Sequence, residues 1–252
     1  MDLDIIFHIA ALAFICELVD STLGMGYGTI LTPLLLLMGY EPLDIVPAVL
    51  LSECISGVTA GFAHHEFGNL NLKPGTRDFR VAALLAGLSV GGILIAVVIA
   101  VSIPAWAVKL YIGILVLGLG VFILWNRNRT IPFTWMRISG LGALASFNKG
   151  ISGGGYGPVV TGGLVLSGVS SRSAIGITSL AEGVCSAVGV IAYLASTATI
   201  SWQLAPSLLL GAILSVPLAA YTVSKVPTNR LTLCIGGLCM VLGGYTLLRL
   251  AL

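Results

Sequence analysis

STLGMGYGTILTP, residues 21–33, returns as GISGGGYGPVVTG at residues 150–162. The register between them is constant and free of gaps. Residues 24–57 align with 153–186, and Gly24, Gly26, Tyr27, Gly28, Thr32, Leu35, Leu37, Gly39, Leu51 and Glu53 match Gly153, Gly155, Tyr156, Gly157, Thr161, Leu164, Leu166, Gly168, Leu180 and Glu182. Self-similarity at half the chain length makes the chain two copies of one unit, delimited here as residues 1–128 and 129–252. Each copy places a glycine-rich break, and then a glutamate, inside strongly apolar sequence.

The surroundings of the motif decide its setting. The chain is 57% apolar and 9% charged, with a mean hydropathy of +1.06, whereas a soluble domain carries about 25% charged residues. Twelve basic and ten acidic side chains cannot cover a soluble surface of 252 residues. The apolar runs are continuous and rich in Leu, Ala and Gly, which reads as membrane helices rather than the alternating segments of a β-barrel. The first twenty residues have no basic leader and no small-residue cleavage site, so the segment is expected to be retained. A net charge of +2, spread over short loops, gives no nucleic-acid signal. Cys16, Cys54, Cys185, Cys234 and Cys239 form no CxxC pair and read as small buried hydrophobes.

Eight apolar segments follow, at about 5–38, 43–63, 80–101, 105–125, 135–167, 173–196, 203–223 and 229–251. The first and fifth exceed the roughly 20 residues of one span, and both are interrupted by the glycine motif. They are either long kinked spans or hairpins that enter and leave on one face. If all eight segments cross, Lys73, Arg77, Arg80, Arg127, Arg129, Arg137 and Arg249 oppose Lys109, Arg172, Lys225 and Arg230. If the first and fifth re-enter, only Lys109 and Arg249 oppose the remaining loop bases. The positive-inside rule favours the second arrangement, with basic loops in the cytoplasm and both termini outside. Each half then crosses an odd number of times, which makes an inverted repeat.

Two halves of about four apolar segments, each opened by a Gly-rich motif and followed at fixed distance by a Ser/Thr-rich helix carrying a glutamate, resemble the sulfite exporter TauE/SafE family. The resemblance covers essentially the whole chain. It implies an all-α polytopic permease of the cell inner membrane for small sulfur-containing anions such as sulfite or organosulfonates. It implies anion transport more firmly than any one substrate.

The residues suggest how such transport could work. Non-helical backbone at membrane depth survives only when buried in protein or lining a water-filled cavity. The half-helices after the breaks, starting near Thr29 and Pro158, would present two N-termini to an oxyanion. Gly24, Gly26, Gly28, Gly153, Gly154, Gly155 and Gly157 would form that cradle, with hydroxyls from Ser21, Thr22, Ser152, Tyr27 and Tyr156. Tight packing through small residues would explain the glycines alone. Asp20 and Lys149 occupy equivalent positions before the two motifs, as an ion pair or with Lys149 touching the anion. Glu53 and Glu182 are the coupling candidates, each sharing a three-to-four-residue spacing with small or polar groups: Ala48, Ser52, Ser56 and Ala60 in one copy, Thr178, Ala181, Cys185 and Gly189 in the other. Low dielectric disfavours a charged carboxyl, so these glutamates could carry protons or merely cap broken backbone.

The partners expected are a small anion, protons as coupling ion and the lipid bilayer, with a homo-oligomer left open; no cofactor or metal is called for. His64-His65-Glu66 reads as the wet end of a helix rather than a metal cluster, AsnArgAsnArg (126–129) as a cytoplasmic anchor, and Trp106, Trp125, Trp135 and Trp202 as an interfacial belt. A secondary carrier is the leading reading. An anion channel or an uptake carrier for another organic anion is the alternative. An enzyme would need a nucleophile–base or metal constellation, and a scaffold would not need paired breaks with buried ionisable groups.

Overall fold

The computed structural model describes residues 3–126, 134–196, 199–223 and 228–251, and all regular structure among them is helical. The first half contributes α1 (Leu3–Leu23), α2 (Tyr27–Leu37), α3 (Pro42–Glu66), α4 (Arg77–Ser102) and α5 (Ala105–Asn126). The second contributes α6 (Trp135–Ser152), α7 (Tyr156–Leu166), α8 (Ser171–Ala195), α9 (Ala205–Thr222) and α10 (Thr228–Ala251). The basic run at 127–129 lies outside the described residues.

Local chemistry explains the boundaries. Thr76, Thr134 and Ser170 cap α4, α6 and α8 by accepting the amides of Phe79, Arg137 and Ser173. Pro42 opens α3 at a first-turn position, where its missing N–H is no loss. The two long segments are each split in two. Gly24 and Gly26 (φ +69° and +143°) end α1 and start α2, and Gly153 and Gly155 (φ +69° and +78°) do the same between α6 and α7. Those dihedrals are open to glycine at little cost. At about 1.5 Å per residue, the eleven residues of α2 or α7 reach roughly half-way across a bilayer core. Gly163 of α7 lies against Leu141 of α6, so α7 doubles back along the helix that precedes it.

The halves are interleaved rather than side by side. α1 packs on α9 and α6 on α4, so the first helix of each half lies on the fourth of the other. Equivalent helices also meet each other. In α3 and α8, Leu50 lies against Gly189, Gly57 against Gly183, and Gly61 against Leu180. In α5 and α10, Gly113 lies against Leu247 and Gly243 against Leu117. Numbers rise on one helix as they fall on the other, so both pairs run antiparallel.

Helices α3, α4, α8 and α9, and residues 105–122 of α5, are long and apolar enough to cross a membrane. Ile95, Val98, Ile191, Leu214 and Val241 face outward, while Glu17, Asp20, Glu53, Lys149 and Glu182 are buried. An apolar outside around an ionisable inside suits lipid, where polar groups must turn inward. The protein is an integral, multi-pass membrane protein. Trp106, Trp125, Trp135 and Trp202 are all exposed.

Candidate functional site

The two breaks meet. Gly28 lies against the backbone of Gly153 and Gly154, and Gly157 lies against Gly24 and Met25. Since 24 and 28 are the equivalents of 153 and 157, the contact is reciprocal: each half-helix start abuts the other half's break. Polar bonds cross it at both breaks. Gly155 N–H donates to Thr29 Oγ1 at 2.9 Å. Thr161 Oγ1 is hydrogen-bonded to the Gly24 carbonyl at 2.6 Å and to Thr178 Oγ1 at 2.8 Å. Thr161→Val keeps the shape but leaves that buried carbonyl unpaired, and should cost about 1–3 kcal/mol, read as a lowered melting temperature of the purified protein.

In this conformation several of the break amides are used within the protein. Tyr27 N–H donates to Asp20 Oδ1 at 3.1 Å, Gly154 N–H to Ser152 Oγ at 3.1 Å, and Gly24 N–H to the Asp20 carbonyl. The start of α2 is thus capped by a carboxylate of its own chain, which a helix N-terminus favours. The phenols are paired too: Tyr27 with Ser52 at 2.7 Å and Tyr156 with Ser89 at 3.2 Å. Both rings are fully buried. Of the other hydroxyls, Ser21 donates to Glu17, Thr22 to the Leu18 carbonyl, and Ser152 to the Asn148 carbonyl. The helices begin at Tyr27 and Tyr156, two residues before the expected starts.

The buried charge lies beside this junction. Lys149 is the one buried Lys or Arg among the described residues, at 0% exposure. Its Nζ donates to Glu182 Oε1 at 2.6 Å and to Glu53 Oε2. Three helices converge here: α6 supplies the lysine, one residue after Asn148, and α3 and α8 supply equivalent glutamates. The pairing expected between Asp20 and Lys149 is corrected by this geometry. Asp20 is within electrostatic reach of the ammonium, but its carboxylate is used by the Tyr27 amide. Equivalent sequence positions need not touch, and here the lysine reaches the antiparallel α3·α8 seam instead. The second oxygens, Glu53 Oε1 and Glu182 Oε2, are buried without a hydrogen-bond partner among the described residues.

The helix faces around the glutamates are buried as their spacing suggested. Ala48, Ser52, Ser56 and Ala60, and likewise Thr178, Ala181 and Cys185, are at 0% exposure. His64 corrects an expectation. It is not at a wet helix end but fully buried, with Nδ1 3.0 Å from the Asn69 amide nitrogen and Nε2 3.0 Å from the Ser21 carbonyl. No cluster of three metal-ligating side chains occurs among the described residues. Glu17, unmarked in the sequence reading, belongs to the site. It stands three residues before Asp20 on the same helix, a spacing that places two carboxyls on one face.

A family model described as "Sulfite exporter TauE/SafE" matches residues 9–246. A curated relative, "Probable membrane transporter protein YtnM" of Bacillus subtilis (strain 168), is 28% identical over 253 residues, covering 95% of this chain and 82% of the relative. No solved structure matches.

Proposed function

We propose, for a chain that belongs to the sulfite exporter TauE/SafE family and is therefore a membrane transporter of a small molecule, that it is a proton-coupled secondary carrier of small sulfur-containing anions, sulfite or organosulfonates. The observation that carries this reading is Lys149 held between Glu53 and Glu182. An anion crossing a low-dielectric core is stabilised by a cation, and Lys149 is the buried cation among the described residues. While both glutamates are ionised they occupy it. Proton binding at either carboxylate weakens that hold and leaves ammonium N–H groups for the substrate. Departure of the anion restores the carboxylates to the lysine. Protons and anion therefore bind more strongly together than apart, and the coupling is reciprocal.

Ser152 and Gly153–Gly155 follow Lys149 by three to six residues, and in this reading their amides join the substrate once the junction parts. Antiparallel packing of equivalent helices supports halves inverted across the membrane, with the basic loops cytoplasmic in a bacterial inner membrane, and alternating access by movement of one half on the other. The interlocked breaks favour a carrier over a channel, since conduction needs a continuous open path.

Glu53→Gln and Glu182→Gln in proteoliposomes test the reading. Each should weaken the dependence of sulfite uptake on an inward proton gradient by roughly 5–150-fold, the usual span of a coupling energy. Counterflow should persist in the wild type and separate a carrier from a channel. Full uptake with an unchanged pH profile in both variants sinks the proposal.

A further inference from the structure

Glu17 is 1% exposed and has no positively charged partner among the described residues. Its Oε1 accepts the Ser21 hydroxyl at 2.7 Å. Its Oε2 is buried without a hydrogen-bond partner among the described residues, and the Ser56 hydroxyl beside it is likewise unpartnered. The groups around it are nearly all acidic or neutral. α1 itself brings Cys16 and Asp20, α2 brings Tyr27, α8 brings Glu182, and α3 brings Ser56 and, through Ser21, His64. α9, packed along α1, carries no charged residue, and its Tyr221 is exposed. α10 meets α1 lightly, with Tyr245 and Arg249 exposed.

Charge in this cluster is unbalanced. Glu17, Asp20, Glu53 and Glu182 share one ammonium, that of Lys149. Glu53 and Glu182 hold the lysine directly, and Asp20 holds a backbone amide at the start of α2. Glu17 alone has only a hydroxyl, and an ionised carboxylate buried with so little compensation is strongly disfavoured. The second copy does not repeat the feature: Ser146 stands at the position equivalent to Glu17, and Gly150 at that of Ser21. Like Lys149, the carboxyl therefore occurs once per molecule. His64 fixes it from behind, because its hold on the Ser21 carbonyl anchors the residue whose hydroxyl reaches Glu17.

We infer that Glu17 is a proton-binding site of this carrier, distinct from the Glu53–Lys149–Glu182 bridge, which holds a transported proton as a neutral carboxyl beside Ser21 and Ser56. The inference rests on the proton-coupled reading above. Loss of the proton leaves a carboxylate facing Asp20 and Glu182, whose repulsion favours re-protonation or rearrangement of the cluster; this ties the charge state of α1 to that of the bridge.

The test measures protons and anions together, with sulfite as the probe and a trapped pH-sensitive dye reporting proton entry into proteoliposomes. Glu17→Gln should move one proton fewer per anion than the wild type, and Glu17→Asp should keep the stoichiometry with a displaced pH profile. A wild-type proton-to-anion ratio in Glu17→Gln, with the ratio lost in Glu53→Gln, overturns this inference and leaves the bridge intact. Wild-type uptake without proton entry overturns the coupling reading itself and this inference with it. Infrared difference spectra of the purified protein give a readout independent of transport: the wild type should show a protonated-carboxyl band that is lost in Glu17→Gln, and its persistence unchanged overturns the assignment.

Discussion

Lys149→Met is expected to abolish anion uptake and to lower unfolding free energy by about 3–5 kcal/mol, the usual consequence of removing one partner from a buried ion pair. Two carboxylates, Glu53 and Glu182, lose the ammonium that both contact, and they remain buried on the closely packed antiparallel helices α3 and α8. The stability loss and the transport loss have different causes, and one further variant separates them. In Lys149→Met/Glu53→Gln/Glu182→Gln the buried charges are gone together, and replacing a whole buried ionic group by neutral side chains is often neutral or stabilising. That triple variant should recover most of the melting temperature while remaining inactive. Thermal unfolding followed by uptake in proteoliposomes checks both. Uptake at the wild-type rate in either variant would mean that the substrate does not use the lysine, and the proposed function would fall.

Much of the architecture was legible because the repeat is so regular. The half-helices α2 and α7, and the long helices α3 and α8, keep one offset of 129 residues at both ends. The glycines that break the first and fifth segments announce positive φ, and four of them have it. The buried faces of α3 and α8 followed from spacing alone, since a polar stripe in a membrane helix must turn inward. What could not be read was which residues meet across halves. Asp20 and Lys149 look paired because they are equivalent, yet equivalence under a two-fold says nothing about proximity. The lysine reaches Glu53, 96 positions away in sequence, because α6 leans on α4 and α8. Glu17 was hidden by its neighbours: within an apolar run a single carboxyl reads as incidental until Asp20 is counted on the same face. The closure of the glycine junction was equally invisible, because each motif in isolation gives no sign that its backbone abuts the other copy's break, or that Gly155 N–H finds its acceptor on Thr29 there.

Gly28→Ala is expected to be among the most damaging single substitutions in the chain. A Cβ at this position would lie 1.8 Å from the Gly153 carbonyl oxygen and 2.9 Å from the Gly154 Cα. Gly154→Ala meets the carbonyl carbon of Gly28 at 2.5 Å, and Gly157→Ala the carbonyl oxygen of Gly24 at 2.5 Å. All these obstacles are backbone, so no side chain can swing aside. Restoring ordinary contact requires the breaks to separate by about 1–2 Å, and that opens the bonds from Gly155 to Thr29 and from Thr161 to Gly24. A loss of about 4 kcal/mol or more is expected, in the range reserved for overpacking and broken buried networks, visible as a collapse of monodisperse protein on size exclusion. Gly162→Ala is the control. It lies on α7, five residues beyond Gly157, with open space where a Cβ would be added, and should stabilise by roughly 0.5–1 kcal/mol through helix propensity alone. The contrast isolates the junction from any general demand for glycine in α7. Lys149 stands immediately before one break and holds glutamates from both halves, so a junction forced apart also shifts the ammonium against its carboxylates. If Gly28→Ala instead folds and carries anion like the wild type, the two breaks are not one mechanical element, and alternating access must be sought in a different pair of surfaces.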